Sequence, residues 1–340
     1  MKKFLTCCVL LLSIWSFKYV SSNRGKIPPH FPQPKSKKVE NLDSNSIELG
    51  RVLFHDAQFS ADQLVSCASC HSPFNSFAHT DHSISHGVFD SIGRRNAPAL
   101  FNLAWQDSFM HDGAAHNLQA QSIAPFTSVT EMGTTLQNVL TALNSSPLYL
   151  ELFKNTFDTT PSIPRALEAL EAFQLNLISS ESKYDQVILG AQEFTAQESN
   201  GFKVFNENCK SCHPPPLFST YDFAYNGLPI DSNLLDLGRY ELTKNSCDSM
   251  QFKVPSLRNL SYTYPYMHDG RFQNLRQVLS HYSPSNGILG KSPLKKPISE
   301  DNKSDLIAFL KTLNDPNFVF NPSHQFPKWT LSYNTIQHEN

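Results

Sequence analysis

The stretch SCASCHSPFNSFAHTDHSISHG, residues 66–87, places two cysteines and four histidines in 22 positions. Its opening, Cys67-Ala68-Ser69-Cys70-His71, has the C-x-x-C-H spacing, and the same spacing returns as CKSCH at Cys209, Cys212 and His213. Two thiols so spaced stand about one helical turn apart and reach the two vinyl groups of a haem, while the adjacent histidine lies under the iron. Two other uses of paired cysteines fit less well. A zinc knuckle gathers four protein ligands closely, yet the motifs start at residues 67 and 209. A thioredoxin-like redox pair has no need of the following histidine twice. The reading is two covalently bound haem c groups, one per motif.

The start of the chain agrees with this. MKKFLTCCVLLLSIWSFKYVSSNRGK sets two lysines before an apolar run from Phe4 to about Phe17, with small residues at Val20, Ser21 and Ser22. That is the pattern of an export signal over residues 1–22, and the run is short for a membrane span, which needs ~20 apolar residues. An uncleaved anchor is the alternative. Cys7 and Cys8 precede most of the apolar run, so a lipoprotein cysteine fits poorly. Covalent haem is attached after export, and a periplasmic location is expected. Of seven cysteines, the exported part keeps Cys67, Cys70, Cys209, Cys212 and Cys247, and the last is read as a part-buried free thiol. Formal net charge is −2, which gives no electrostatic case for nucleic acid or an anionic membrane.

The chain reads as a duplication. RNAPALFNLAWQDSFMHDGAAHNL (95–118) is echoed by KVPSLRNLSYTYPYMHDGRFQNL (253–275), with MHDG at 110 and 267 and Asn-Leu at the same offset beyond each. A period near 150 residues means two domains and not a solenoid. Between the landmarks the patterns are helical. Leu136, Val139, Leu140 and Leu143 form a stripe behind Thr134 and Thr135, and Ser162 with Pro164 opens a helix carrying Leu167, Leu170 and Leu177. Thr195 and Glu198 form a capping box, and Ser299 opens a helix with Leu306, Ile307, Leu310 and Leu313. The expected fold is all-α: two c-type cytochrome domains with long irregular loops, the active site near their interface. The boundary falls in ESKYDQVILGAQ (181–192), dividing 23–190 from 191–314, and 315–340 is expected to be a surface tail.

LGRVLFHD (49–56), SCASCH, RRNAPALFN, EMG, FKVPSLRN, YPYMHDG and LIAFLKTL (306–313) together resemble the bacterial di-haem cytochrome c peroxidases and their MauG-type relatives. The resemblance implies reduction of hydrogen peroxide at the N-terminal haem, with electrons relayed by the C-terminal haem from a small c-type cytochrome or another periplasmic donor. It makes His71 and His213 the proximal iron ligands. His86 in SISHGV is at the position that caps the first iron in peroxidases needing reductive activation, while His79 and His82 read as surface residues. Glu131 in VTEMG becomes the acid–base group and Gln121 in LQAQSI its neighbour. A calcium ion between the domains is implied, held by the Asn96 side chain, the carbonyls of Thr263 and Pro265, and water.

Two positions depart from the family pattern. Fourteen residues past the histidine of the second HDG, where donor-driven peroxidases carry an iron-ligating methionine, this chain has Tyr282, as MauG-type relatives do. Tyr282 also lies on the stripe Leu275, Val278, Leu279, so a packed core tyrosine is the alternative, with Met267 and His281 as rival ligands. Just before the first DG, where relatives place a tryptophan between the haems, stands His111. Trp105 is six residues earlier. The first expectation is therefore a peroxidase. The rivals are a MauG-like oxidase that modifies an aromatic residue on a partner protein, and a non-enzymatic di-haem electron carrier. A homodimer is compatible with the family and marked by no motif.

Overall fold

The computed structural model describes residues 26–283, 298–331 and 333. The expected export signal, residues 1–22, lies outside the described residues. Twelve α-helices are described: α1 (Ser44–His55), α2 (Cys67–Cys70), α3 (Leu118–Thr127), α4 (Leu136–Ser145), α5 (Pro147–Phe157), α6 (Ile163–Leu175), α7 (Lys183–Ile188), α8 (Ala196–Asn208), α9 (Tyr240–Thr243), α10 (Leu275–His281), α11 (Glu300–Lys311) and α12 (Pro316–Val319). The fold is helix-rich as expected. It also contains one short antiparallel ladder, β1 (Phe223–Tyr225) on β2 (Gln251–Lys253), with Ala224 opposite Phe252.

The helix starts follow their capping chemistry. Thr135 accepts from Asn138 N at the head of α4, Ser299 accepts from Asn302 N at α11, and Thr195 with Glu198 closes a capping box on α8. In α6 the Ser162 side chain makes no cap bond, and the helix stops at Leu175, short of Leu177.

The two halves are built alike. In the first, α1 crosses α6; in the second, α8 crosses α11. Each crossing passes through a glycine. A Cβ on Gly50 would fall 2.0 Å from the Ala169 carbonyl oxygen, and one on Gly201 would fall 1.9 Å from that of Asp305. The sequence repeat has a structural counterpart too. Asn102 and Asn259 are both left-handed, at φ +53° and +61°, each opening a 3-10 turn. Phe109 bridges Ala115 as Tyr266 bridges Phe272, and Asn117 and Asn274 cap α3 and α10. The recurring Asn-Leu is thus an N-cap and the first residue of its helix. A third apolar cluster, including Phe31, Val39, Trp105, Leu175 and Leu217, joins the halves.

Among the described residues beyond Asp315, several side chains are packed inside and not on the surface. Phe318 and Val319 are buried in the core of the first half, and His324 is buried beside them. Aromatic and aliphatic residues flanked by prolines looked like an exposed strap, yet the second half ends close enough to the first for three side chains to enter its core. The boundary segment is likewise packed: Tyr184 of α7 belongs to the second core, although it precedes residue 190.

Candidate haem sites

A cavity of about 550 Å³, counted with its open mouth, lies against the first motif and is lined by Cys67, Cys70, His71, Gln121, Glu131 and Met132, among others. The His71 amide donates to the Cys67 carbonyl at 2.9 Å, closing the turn that aligns both thiols with the imidazole. The imidazole Nδ1 is 2.8 Å from the Phe77 carbonyl oxygen. A carbonyl only accepts, so Nδ1 carries the proton and Nε2 keeps the lone pair that a metal needs. Burial pulls the His71 pKa down to about 4, which keeps the ring in its neutral, ligating form.

The second motif repeats each element. The His213 amide donates to the Cys209 carbonyl at 2.9 Å, and Nδ1 lies 3.1 Å from the Phe218 oxygen and 3.2 Å from that of Pro255. Burial again lowers the histidine to about 4. Burial, then the neighbouring thiol, pushes Cys67 and Cys209 up to about 12, and all five described cysteines are free thiols. Reduced thiol pairs beside an oriented neutral imidazole fit covalent haem in both halves. The orienting carbonyls of Phe77, Phe218 and Pro255 were not anticipated from the sequence. The one available sign was an aromatic residue a few positions beyond each C-x-x-C-H.

Glu131 and Gln121 share the cavity wall with His71. Burial raises the Glu131 pKa, and a hydrogen bond from the Ser128 hydroxyl partly opposes it. Gln121 comes from α3, its amide nitrogen 3.8 Å from Met110 Sδ. The Glu131 loop is braced by the segment after His86: Val88 N donates to the Glu131 carbonyl at 2.8 Å. Gly87 lies so near that a Cβ would be 2.2 Å from the Thr130 oxygen. This close approach explains the glycine of the His-Gly pair.

His86 itself does not line the cavity. Its Nδ1 is 2.5 Å from Asp90, and its ring stacks on His82 at 4.7 Å, which stacks in turn on His79 at 5.8 Å. His82 is exposed, whereas His79 is half-buried with its Nε2 enclosed and unpartnered. In the second half, Tyr282 follows α10, half-buried. Burial raises its pKa, and the Cys209 and Cys212 thiols add to the rise, which places the phenol beside the second motif. Its rivals are engaged with Asn226: the His281 Nε2 donates to the Asn226 carbonyl at 2.9 Å, and Met267 Sδ is 3.9 Å from the Asn226 amide nitrogen.

His111 sits where the halves meet. Its Nε2–H donates to the Asn96 carbonyl at 2.8 Å, and its own carbonyl accepts from Lys253 N of β2 at 2.6 Å. Burial, helped by the charges of Arg95 and Lys253, lowers it to about 4, so it is neutral. Around it, Arg95 pairs with Asp112 and Asp236, both at 2.6 Å. Trp105 is committed elsewhere, donating to the Pro32 carbonyl and packing edge-on against Phe31. Asn96 is buried; its amide N–H donates to the His268 carbonyl at 2.7 Å and its side-chain nitrogen to Ser83 O at 2.9 Å. Neither the Thr263 nor the Pro265 carbonyl accepts a hydrogen bond among the described residues.

Comparison with known proteins agrees with the two-haem geometry. A family model described as "Di-haem cytochrome c peroxidase" matches residues 44–193. The chain is 33% identical to the methylamine utilization protein MauG of Methylophilus methylotrophus, covering 88% of this chain and 90% of that one. It is 30% identical to a cytochrome c551 peroxidase of Nitrosomonas europaea, covering 93% and 94%. Among solved structures, a MauG-like protein associated with microbial copper homeostasis superposes with a TM-score of 0.78 at 26% identity, over 88% of this chain and 98% of that one. The chain belongs to the di-haem cytochrome c peroxidase family, which includes the MauG proteins.

Proposed function

We propose that this protein is a periplasmic di-haem peroxidase that reduces hydrogen peroxide to two waters with two electrons and two protons, the electrons coming from a small c-type cytochrome or a similar donor. The observation that carries the reading is the placement of Glu131 and Gln121 in the same cavity wall as Cys67, Cys70 and His71. When bound, the two haems would supply one-electron redox chemistry toward peroxide. Residues 23–190, with the buried part of the C-terminal segment, hold the peroxidatic site, and 191–314 the electron-transfer site. Glu131 takes the proton from one peroxide oxygen and returns it to the other, which departs as water. Its burial keeps the carboxylate from being solvated and so sharpens its basicity toward the substrate. In the described conformation His86 is engaged by Asp90 and His82 and does not line the cavity. Capping by His86 therefore requires this loop to move. A calcium ion on Asn96, Thr263 and Pro265 would tie the halves together, and a homodimer is compatible with this reading.

The test is stopped-flow mixing of the fully oxidised and half-reduced protein with peroxide, followed by reduced small cytochrome c. Oxidation of two cytochromes per peroxide supports the reading; no cytochrome oxidation from either form overturns it.

A second reading, a MauG-like oxidase acting on a partner protein, is favoured by Tyr282, which lies beside Cys209 and Cys212 where a thioether ligand would make the second haem easier to reduce. Tyr282→Met is expected to raise the second-haem midpoint potential and speed cytochrome oxidation. An unchanged potential in a redox titration would show that Tyr282 is a packing residue. His111 is read as the link between the haems through its bond to Asn96. His111→Trp is expected to change the inter-haem electron-transfer rate measured by flash reduction, and an unchanged rate removes His111 from the path.

A further inference from the structure

One orienting carbonyl in each half belongs to a phenylalanine in the left-handed region, Phe77 at φ +60° and Phe218 at φ +54°. A bulky L-residue stays there only when its surroundings hold it. In the first half, Phe77 packs against Phe54 of α1 at 5.8 Å and Phe173 of α6 at 6.1 Å. In the second, Phe218 packs against Phe205 of α8 at 5.5 Å and Phe309 of α11 at 6.3 Å. These two pairs occupy matching helices. A further ring contact on each phenylalanine comes from the segment that trails the other half. Phe77 is covered by Phe318 at 6.0 Å and His324 at 5.7 Å, both from the segment that trails the second half. Phe218 is covered edge-on by Tyr184 at 4.8 Å, from the segment that trails the first half.

Both trailing segments are anchored. His324 Nδ1 donates to the Phe318 carbonyl at 3.0 Å, His55 Nε2 donates to the His324 carbonyl at 3.0 Å, and Arg51 bonds the Gln325 carbonyl at 2.9 Å. Tyr184 N donates to the Thr312 carbonyl at 3.0 Å. We infer that Phe318 and Tyr184 are positioning residues, each fixing, from the chain segment that trails the other half, the backbone carbonyl that orients a proximal histidine. The hydrogen bond from Nδ1–H makes Nε2 a stronger donor and sets the ring plane. Loosening Phe77 weakens that bond for His71, and loosening Phe218 weakens it for His213; each ring keeps a second carbonyl, that of Pro98 or of Pro255. The inference rests on the two-haem reading above.

The experiment compares holoprotein of Phe318→Leu and Tyr184→Leu with the parent, after the haems per chain have been counted. The readouts are a potentiometric titration and EPR spectra that resolve the two haems. Phe318→Leu is expected to raise the midpoint of the His71 haem and shift its g-values, with the His213 haem unmoved. Tyr184→Leu is expected to raise the midpoint of the His213 haem and shift its g-values, with the His71 haem unmoved. If Phe318→Leu does not fold, His324→Gln, which removes the neighbouring ring on the same side of Phe77, carries the same expectation. Both haems moving together, or neither moving while Tm falls, overturns the inference. A count below two haems overturns the two-haem reading and the inference with it, whereas two haems with unshifted signatures overturn the inference alone.

Discussion

Glu131→Gln is expected to lower the turnover of peroxide by about 10²–10⁴-fold, the usual contribution of a positioned acid–base group, while both haems remain attached. The substitution preserves the size of the side chain and its place in the cavity wall, and the Ser128 hydroxyl still has an oxygen to bond. It removes the ability to take and return a proton. The pH dependence gives a second readout. Burial raises the Glu131 pKa above its ordinary 4.5, with the Ser128 bond opposing. The base form is the active one, so parent activity is present above the raised pKa and is lost as pH falls through it. The glutamine variant has no such acid limb. Unchanged peroxide turnover in Glu131→Gln, with cytochrome oxidation intact, would leave a di-haem electron carrier as the better description.

Where the chemistry depends on covalent spacing, the sequence was sufficient. C-x-x-C-H brings its own geometry, since five consecutive residues form one turn wherever they fold, and the structure holds both motifs in the same hydrogen-bonded turn. The repeat was also legible, because Asn117 and Asn274 are N-caps and capping is a local rule. What escaped was long-range. Nothing near Gly50 or Gly201 announces that a carbonyl of another helix passes within 2 Å of the missing Cβ. Nothing within residues 315–331 shows that Phe318 will bury itself beside Phe77, since its apolar partners lie more than 200 positions earlier. The same holds for His86: the motif gave its place in the chain, but the stack on His82 and the bond to Asp90 that turn it from the cavity depend on the fold of the loop.

The effect expected to be largest for stability lies away from both haem sites, at Asp185. Its carboxylate is fully buried and receives Arg258 Nη1 at 2.8 Å and Nη2 at 2.6 Å, the Ser182 hydroxyl at 2.7 Å and His30 Nε2 at 2.9 Å. Arg258 is equally buried, and besides Asp185 it bonds the Pro216 carbonyl. One carboxylate thus joins the N-terminal strap, α7 and the second half. Asp185→Ala leaves a buried guanidinium without a counter-charge, a defect that costs about 3–5 kcal/mol. That is a large share of the ~5–15 kcal/mol that stabilises a folded protein. The pH dependence follows from the shift. Burial alone would raise the Asp185 pKa, but the Arg258 hydrogen bonds and charge, with Ser182, hold it below the ordinary 3.8. A depressed carboxylate stabilises the fold above its unfolded pKa and loses that contribution as pH falls through the folded value. The Tm gap between parent and Asp185→Ala should therefore be constant from neutral pH down to ~5 and should close below ~4. Calorimetry of both proteins across that range decides it. A gap that stays open at low pH would mean that Asp185 acts through packing and backbone geometry, with the ion pair contributing little.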